Sequence, residues 1–337
     1  MADKPLVSIV VPIFNMGSQL REAAKGFLNQ TYTNIEIILV DDGSTDDTSA
    51  VCCALAEADS RVSVFRQNNM GSGPARNKGI ENAHGKYVYF ADADDLMSND
   101  LIEKIVSRME QKNCDMAVFG FKRILAGGFK KAVHKLNGEV FECDKIRREY
   151  HKFYDHNSLS GIQGGPWNKM FRLDKIRDNG IKYPPMRRHQ DEVFIMRYVD
   201  KAERVLFVDD ILYIHNTNDR SMLFKKFPKN YYDIVSQLKS FRMEYIYGWN
   251  TDNHEMLDII SRDFVYNTGI SLMFMFNPSF EYTPIERYRE IKRVADRFLE
   301  ELPDKYYDAH STMFRLMKKK RYLMLYAVAY MGLRKYY

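Results

Sequence analysis

Four short apolar runs, Leu6 to Val11, Ile35 to Val40, Val62 to Phe65 and Tyr87 to Phe90, recur through the first part of the chain with helical stretches between them. That rhythm limits the fold more than any other feature. Strand and helix in alternation close into an open, largely parallel sheet with helices on its faces. The runs are rich in Val, Ile and aromatic residues, as strands covered on both faces should be. Polar clusters follow three of them: Pro12 to Asn15, Asp41-Asp42-Gly43-Ser44 and Asp92 to Asp95. In an open α/β sheet these are carboxyl-edge positions, where ligands bind.

Asp92-Ala93-Asp94 carries the most chemistry. Side chains two apart on an extended chain point the same way, so both carboxylates can serve one divalent cation and a ligand diphosphate. The alternative is that Asp92, Asp94 and Asp95 only cap a helix beginning near Ser98. Like charges crowded beside a strand are costly unless a cation compensates. Mg²⁺ or Mn²⁺ is therefore the expected cofactor, with Asp94 as direct ligand and Asp92 nearer the ribose or reached through water. Asp41 is placed to accept a hydrogen bond from the imide nitrogen of a uracil, with Pro12 and Phe14 in apolar contact with base or ribose. Asp42, Ser44, Thr45 and Asp46 suit a turn and a cap for a helix starting near Asp47. The stretch Gly71-Ser72-Gly73-Pro74-Ala75-Arg76-Asn77-Lys78-Gly79 reads as a flexible loop leading into a helix, with Arg76 on its first turn holding the diphosphate or the acidic cluster.

Four segments, in this order and spacing, resemble glycosyltransferase family 2, the inverting enzymes of GT-A fold. They are Val7-Ser8-Ile9-Val10-Val11-Pro12-Ile13-Phe14-Asn15, Glu36-Ile37-Ile38-Leu39-Val40-Asp41-Asp42-Gly43-Ser44-Thr45-Asp46, Pro74-Ala75-Arg76-Asn77-x-Gly79 and Asp92-Ala93-Asp94-Asp95. The resemblance is close over about residues 5 to 122 and looser over about 160 to 225. It implies a mixed nucleotide-binding sheet flanked by helices and a UDP-sugar donor. The implied nucleotide site comprises Pro12, Phe14, Asn15, Asp41, Gly43, Arg76, Asp92, Ala93 and Asp94, with Asp92 and Asp94 as the DxD-type metal pair.

Inversion at an anomeric carbon needs a base for the acceptor hydroxyl, opposite the departing diphosphate. Arg187-Arg188-His189-Gln190-Asp191-Glu192-Val193-Phe194 resembles the family's Glu-Asp segment, which maps the base to Asp191. Gln190 stands where Glu is frequent, so Glu192 is a rival, and both acids also suit a helix's first turn. Gly164-Gly165-Pro166-Trp167-Asn168-Lys169-Met170-Phe171 resembles the segment that family members place beside the acceptor. There Trp167 either offers a flat face to a sugar ring or packs after the Gly-Pro turn, and Lys169 is positional. His189 and Gln190 are further acceptor-side or diphosphate candidates. His215 and Arg220, after a strand over Arg204 to Val208 and Ile211 to Ile214, are secondary candidates for the diphosphate or its metal.

The rest of the chain bounds this reading. Its 337 residues allow one large domain, 1–225, with a nucleotide-binding half to about 122 and an acceptor half beyond it, followed by a helical region, 226–337. Leu125 to Ser160 is polar with few periodic runs and reads as a mobile loop over the acceptor site. Cys52, Cys53, Cys114 and Cys143 lack paired metal-ligand spacing, and no signal segment or spanning run is visible, so a reduced, cytoplasmic setting is expected. From Ser311 to Tyr337 there are seven Lys or Arg residues and no acid. Lys318-Lys319-Lys320-Arg321 precedes an apolar run, Tyr322 to Leu333, that suits an inner membrane surface or docking on the protein's own core. The expected acceptor is a glycan or lipid-linked glycan. Oligomeric state is left open, with a homo-oligomer among the options.

Nucleic acid is not an expected partner, since no finger, helix-turn-helix or RNA-reading motif accompanies the basic tail. Pro12-Ile13-Phe14-Asn15 is neither the Gly-rich cationic loop of a nucleotidyltransferase nor the Gly-x-Gly-x-x-Gly of a dehydrogenase. The remaining competitor is a sugar-nucleotide-binding or scaffolding subunit that has lost turnover.

Overall fold

The computed structural model describes residues 4–125, 128–132, 136–154, 162–216, 227–249, 254–301 and 312–334. The chain divides into two units, Met1–Asn218 and Asp219–Tyr337.

The first unit begins β1 (Val7–Ile13), α1 (Gly17–Leu28), β2 (Ile35–Asp41), α2 (Thr48–Ala58), β3 (Val62–Arg66), α3 (Ser72–Glu81) and β4 (Tyr87–Phe90). All four expected strands form. β2 and β4 flank β1 in parallel, and β3 lies outside β2. Alternate residues serve the two faces. Val7, Ile9, Val11, Ile37 and Leu39 join Leu20, Phe27, Ile102 and Ile105 in one buried cluster. On the other face α3 lies so close that a Cβ at Gly79 would come within 2.2 Å of Val10 Cγ1.

The unit continues with β5 (Leu96–Met97), α4 (Leu101–Lys112), β6 (Met116–Leu125), β7 (Gly128–Ala132), β8 (Val140–Glu142), α5 (Cys143–Arg148), α6 (Tyr150–Phe153), β9 (Lys169–Arg172), α7 (Leu173–Asp178), α8 (Gln190–Lys201) and β10 (Arg204–Asn216). The strand order is β3-β2-β1-β4-β9-β6-β10-β5, with β7 on β6 and β8 on β10. Because β9 runs antiparallel to both β4 and β6, the sheet is mixed. Its helices and strands together form the GT-A architecture.

Two expectations change here. Leu125 to Ser160 is not simply a loop among its described residues: β7 folds back on β6, β8 pairs with β10, and Ile146, Tyr150 and Phe153 are buried. These elements are three to six residues long, too short for a periodic signal. The two runs after residue 204 are one strand, β10, whose pairing with β6 shifts register at Val208/Ile211 and again at Ile211/Tyr213. That irregularity takes up Asp209-Asp210 without ending the strand.

The second unit is helical: Tyr231–Gly248, His254–Phe274, Pro284–Glu301, Thr312–Lys318 and Tyr322–Arg334. Tyr231, Tyr232, Ile234 and Leu238 are buried, while Phe241 is half-buried. Phe264, Leu272, Val294, Phe298, Phe314, Leu325 and Ala329 are among its core residues. Asp233 accepts from Arg293 and Arg297 at the edge of that core. Among the described residues no helix is long and apolar enough to cross a membrane.

Candidate active site

The loop after β2 divides its two acids. Asp42 is structural: its carboxylate accepts from the backbone N–H of Met70 (2.9 Å) and Gly71 (2.7 Å) and from Gln67 Nε2 (2.8 Å), tying this loop to the start of α3. Gly43 makes the turn at φ +78°, where a Cβ would stand 2.8 Å from the Asn69 nitrogen. Asp41 differs. Its Oδ1 accepts from Ser44 N–H (2.8 Å), but its Oδ2 is buried with no hydrogen-bond partner, and Arg66 Nε stands 3.6 Å away. An orphaned buried acceptor is costly unless a ligand donor meets it.

Beside it, Asn15 adopts a left-handed conformation and Thr45 N–H donates to its Oδ1. Phe14 is 41% exposed, and Pro12 is half-buried. Thus the β1 and β2 loops are joined, with an apolar ring at their rim.

At the end of β4 the carboxylate oxygens of Asp92, Asp94 and Asp95 lie within 4.8 Å of one another. None caps the following helix, which starts at Leu101. Asp95 is spent on structure: Oδ2 accepts from Tyr213 Oη–H (2.8 Å) and lies 2.9 Å from His215 Nδ1, while Oδ1 accepts from Asn216 N–H (2.7 Å). Asp92 Oδ1 accepts from Arg76. Asp94 is in no ion pair among the described residues, and burial, then the charges of Asp92 and Asp95, push its pKa up to about 6. Ala93 is buried in the core and presents only backbone.

A hard divalent cation fits this donor set, since oxygen ligands suit Mg²⁺ or Mn²⁺ and a positive ion would relieve the crowding. Asp94 and Asp92 are the carboxylates that would hold it.

Arg76 joins the two halves of the site. Only 4% exposed, it donates from Nη2 to Asp92 Oδ1 and from Nη1 to Asp191 Oδ1, both at 2.8 Å. Burial disfavours its charge, but Asp191 and Asp92 together hold its pKa above the ordinary value. Its guanidinium lies over the Tyr183 ring, and Asn77 exchanges hydrogen bonds with the Tyr183 backbone N–H (2.8 Å) and C=O (2.9 Å). The expected flexible loop at Gly71 to Gly73 is instead helical from Ser72, so Arg76 falls in the second turn. A Cβ at Gly73 would come within 2.4 Å of Gln190 Oε1, which shows how closely α3 and the start of α8 approach.

Asp191 opens α8 immediately after His189, which is left-handed at φ +60°, and Gln190, whose Nε2 donates to Ser72 Oγ (2.5 Å). Burial raises the Asp191 pKa, Arg76 opposes that rise, Asp92 adds to it, and Lys169 opposes it. The rival Glu192 points elsewhere, accepting from Tyr154 Oη–H (3.4 Å) with His189 Nδ1 4.0 Å away.

Lys169 is fully buried and donates to Gly165 C=O (2.9 Å) and Asn168 Oδ1 (2.7 Å). Burial pushes its pKa down to about 7 against the pull of Asp191. Trp167 is 7% exposed and stacks on Tyr213 and His215, with Phe121 edge-on. His215 reaches the cluster through Asp95, which leaves Nε2 for any further partner. Arg220 lies outside the described residues.

Sequence reasoning missed the Asp95 anchor, Asn77 and Tyr183. Only Asn77 had a signal, its place beside Arg76.

A family model described as glycosyl transferase family 2 matches residues 8–176. Glycosyltransferase GlyG of Streptococcus pneumoniae serotype 4 is 32% identical over 234 residues, covering 66% of this chain and 74% of GlyG. A cholesterol galactosyltransferase of Borreliella burgdorferi is 28% identical, covering 72% of this chain and 77% of that protein. Among solved structures, S. aureus TarS 1-349 in complex with UDP-GlcNAc aligns with TM-score 0.66 at 18% identity, over 98% of this chain and 91% of that one. With a matching family model, a relative above 30% identity and the GT-A sheet, the chain belongs to glycosyltransferase family 2 and is a glycosyltransferase enzyme.

Proposed function

We propose that the protein transfers a sugar with inversion from a UDP-sugar to a hydroxyl of a glycan or lipid-linked glycan, with Asp191 as general base. The observation that carries this is Arg76, whose single guanidinium holds Asp92 on the donor side and Asp191 on the other. Donor carboxylate and base thereby meet at one guanidinium.

Asp41 Oδ2 is the acceptor for a uracil N–H, with Phe14 and Pro12 against the base or ribose. When bound at Asp94 and Asp92, Mg²⁺ or Mn²⁺ supplies charge neutralisation for the leaving diphosphate. Asp191 takes the proton of the attacking hydroxyl as the sugar–oxygen bond to the diphosphate breaks. Arg76 orients its carboxylate and, with Lys169, favours the ionised form that a base requires. His215, steadied by Asp95, faces the diphosphate side.

Thermal stabilisation by a panel of UDP-sugars with Mn²⁺ tests the donor, and stabilisation by none of them sinks it. Asp191→Asn should lower transfer by about 10² to 10⁴ while keeping UDP-induced stabilisation. Full activity in that variant removes Asp191 from the base role. UDP binding without transfer or hydrolysis in the unaltered protein would favour the scaffolding alternative.

A peripheral membrane site is proposed on the helix Tyr322–Arg334. Leu325 and Ala329 are buried in the core, whereas Leu323, Met324, Tyr330 and Met331 are exposed beside exposed Lys318 to Arg321. Core docking and surface contact are thus assigned to opposite faces of one helix. Such a stripe suits an anionic bilayer, and one relative in the family is a cholesterol galactosyltransferase. Leu323→Ser with Met331→Ser should release the protein from phosphatidylglycerol vesicles, and unchanged sedimentation with them refutes the site.

A further inference from the structure

Beyond the clustered acids, the strands β10, β6 and β7 carry a row of basic side chains on one face, two of them, Arg123 and Lys130, permanent cations. His215 pairs with Arg123 across β10 and β6, and Arg123 pairs with Lys130 across β6 and β7. Paired residues point to the same side of a sheet. That side is the site's: Trp167 packs there on Phe121, Tyr213 and His215, and Asp95 holds both Tyr213 and His215.

Lys122 opposite Lys131 repeats the charge on the other face. Like charges placed directly opposite destabilise a strand pair. Among the described residues none of Arg123, Lys130, Lys122 and Lys131 forms an ion pair with an acid. Lys122 only lies over the Phe129 ring.

Lysines on an edge strand such as β7 deter edge-to-edge aggregation, which accounts for Lys130 and Lys131. It does not account for Arg123. That residue lies on the interior strand β6, is half-buried, and has a buried Nε with no hydrogen-bond partner. Burial lowers its pKa and only the charge of Asp95 works against this, so a half-buried guanidinium stands without an ion-pair partner among the described residues.

Resting on the glycosyltransferase reading, we propose that Arg123 and Lys130 bind a phosphate group of the acceptor, outward of the donor diphosphate. The row crosses two strand spacings, about 10 Å, from His215 to Lys130. A diphosphate held at Asp94 and Asp92 does not span it, so the outer two cations serve a second anion. Arg123 suits a phosphate because its planar fork donates two parallel hydrogen bonds, and Lys130 adds an exposed point charge. The phosphate belongs either to a soluble polyol phosphate or to a lipid phosphate, and the two sources are separable.

The full chain is titrated, with and without UDP and Mn²⁺, with sn-glycerol 3-phosphate and separately with polyprenyl phosphate in phosphatidylcholine vesicles. At least one probe should bind, simultaneously with UDP. Arg123→Ala should weaken that binding about tenfold or more and Lys130→Ala somewhat less. Lys122→Ala with Lys131→Ala, on the opposite face, should leave it unchanged.

Retained UDP-induced stabilisation in each variant shows that it is folded and that the donor site is separate. The proposal is overturned if neither probe binds, if the opposite-face variant weakens binding equally, or if UDP competes with the phosphate. Failure of UDP to stabilise the unaltered protein counts against the donor reading, while the phosphate titration without UDP still decides this one.

Discussion

The loops after β2 and after β4 hold the two acidic clusters, and each spends one acid on structure while leaving another open. After β2, Asp42 is satisfied by two backbone amides and Gln67, and Asp41 keeps a buried oxygen that, among the described residues, has no hydrogen bond and only the Arg66 charge nearby. After β4, Asp95 is satisfied by Tyr213, His215 and Asn216, and among the described residues Asp94 keeps its carboxylate out of any ion pair.

The difference lies in what holds them. The first cluster is fastened mainly by main-chain groups of the adjoining β3–α3 connection. The second is fastened mainly by side chains, Arg76 of α3 and Tyr213 and His215 of β10, the latter two about 120 residues away. A ligand that needs one shaped acceptor is served by the first, and a cation that needs crowded charge by the second.

The largest test breaks the second cluster's outside support. Arg76→Leu leaves Asp92 and Asp191 facing each other without their shared cation, and urea unfolding should show a loss of about 3–5 kcal/mol. An equal loss from Arg66→Leu, the exposed cation near Asp41, would erase the contrast between the clusters.

Next come the structural acids. Asp42→Ala and Asp95→Ala should each cost about 2–3 kcal/mol by stranding their donors. Only Asp95→Ala should also abolish stabilisation by Mn²⁺, because it frees His215 and Tyr213 beside the metal pair. If Asp42→Ala abolishes it too, the division of roles fails.

The smallest effects fall on the open acids. Asp41→Asn should leave unfolding nearly unchanged yet remove the thermal shift by UDP, which calorimetric scans with and without UDP would reveal. Asp94→Asn should stabilise the metal-free protein at pH 8 by on the order of 1 kcal/mol, allowing for partial solvent screening. The sign follows from its raised pKa. Protonated Asp94 favours the fold, fully so below the ordinary 3.8, and that contribution is lost as pH climbs through about 6. Urea unfolding across pH 4 to 7 should therefore show a shallower decline in the variant, and parallel curves would contradict the crowding.

How much of this was legible beforehand follows the same line. The β1, β2, β3 and β4 runs and the loop acids could be read from residues 6 to 95 because each signal is local: apolar β-formers followed by turn residues. Asp191 could be placed as base only through resemblance. Nothing near it announces that Arg76, 115 residues earlier, would meet it at 2.8 Å. Trp167 could be read locally as a sugar platform or as packing, and the stacking of Tyr213 and His215 on its ring is visible only in the fold. Arg123 passed unnoticed because a Lys-Arg pair late in an apolar strand has no motif. Its meaning depends on β7 and β10 lying to either side.

By itself the sequence determined an α/β sheet with acids at its carboxyl edge, a helical continuation and a basic, apolar tail, because periodicity and turn chemistry act over a few residues. The tertiary structure alone decided which acids are free and which are consumed, which way Glu192 and Asp191 point, and where unpaired cations line up. Burial, pairing and charge compensation are set by groups that meet only when distant segments pack together.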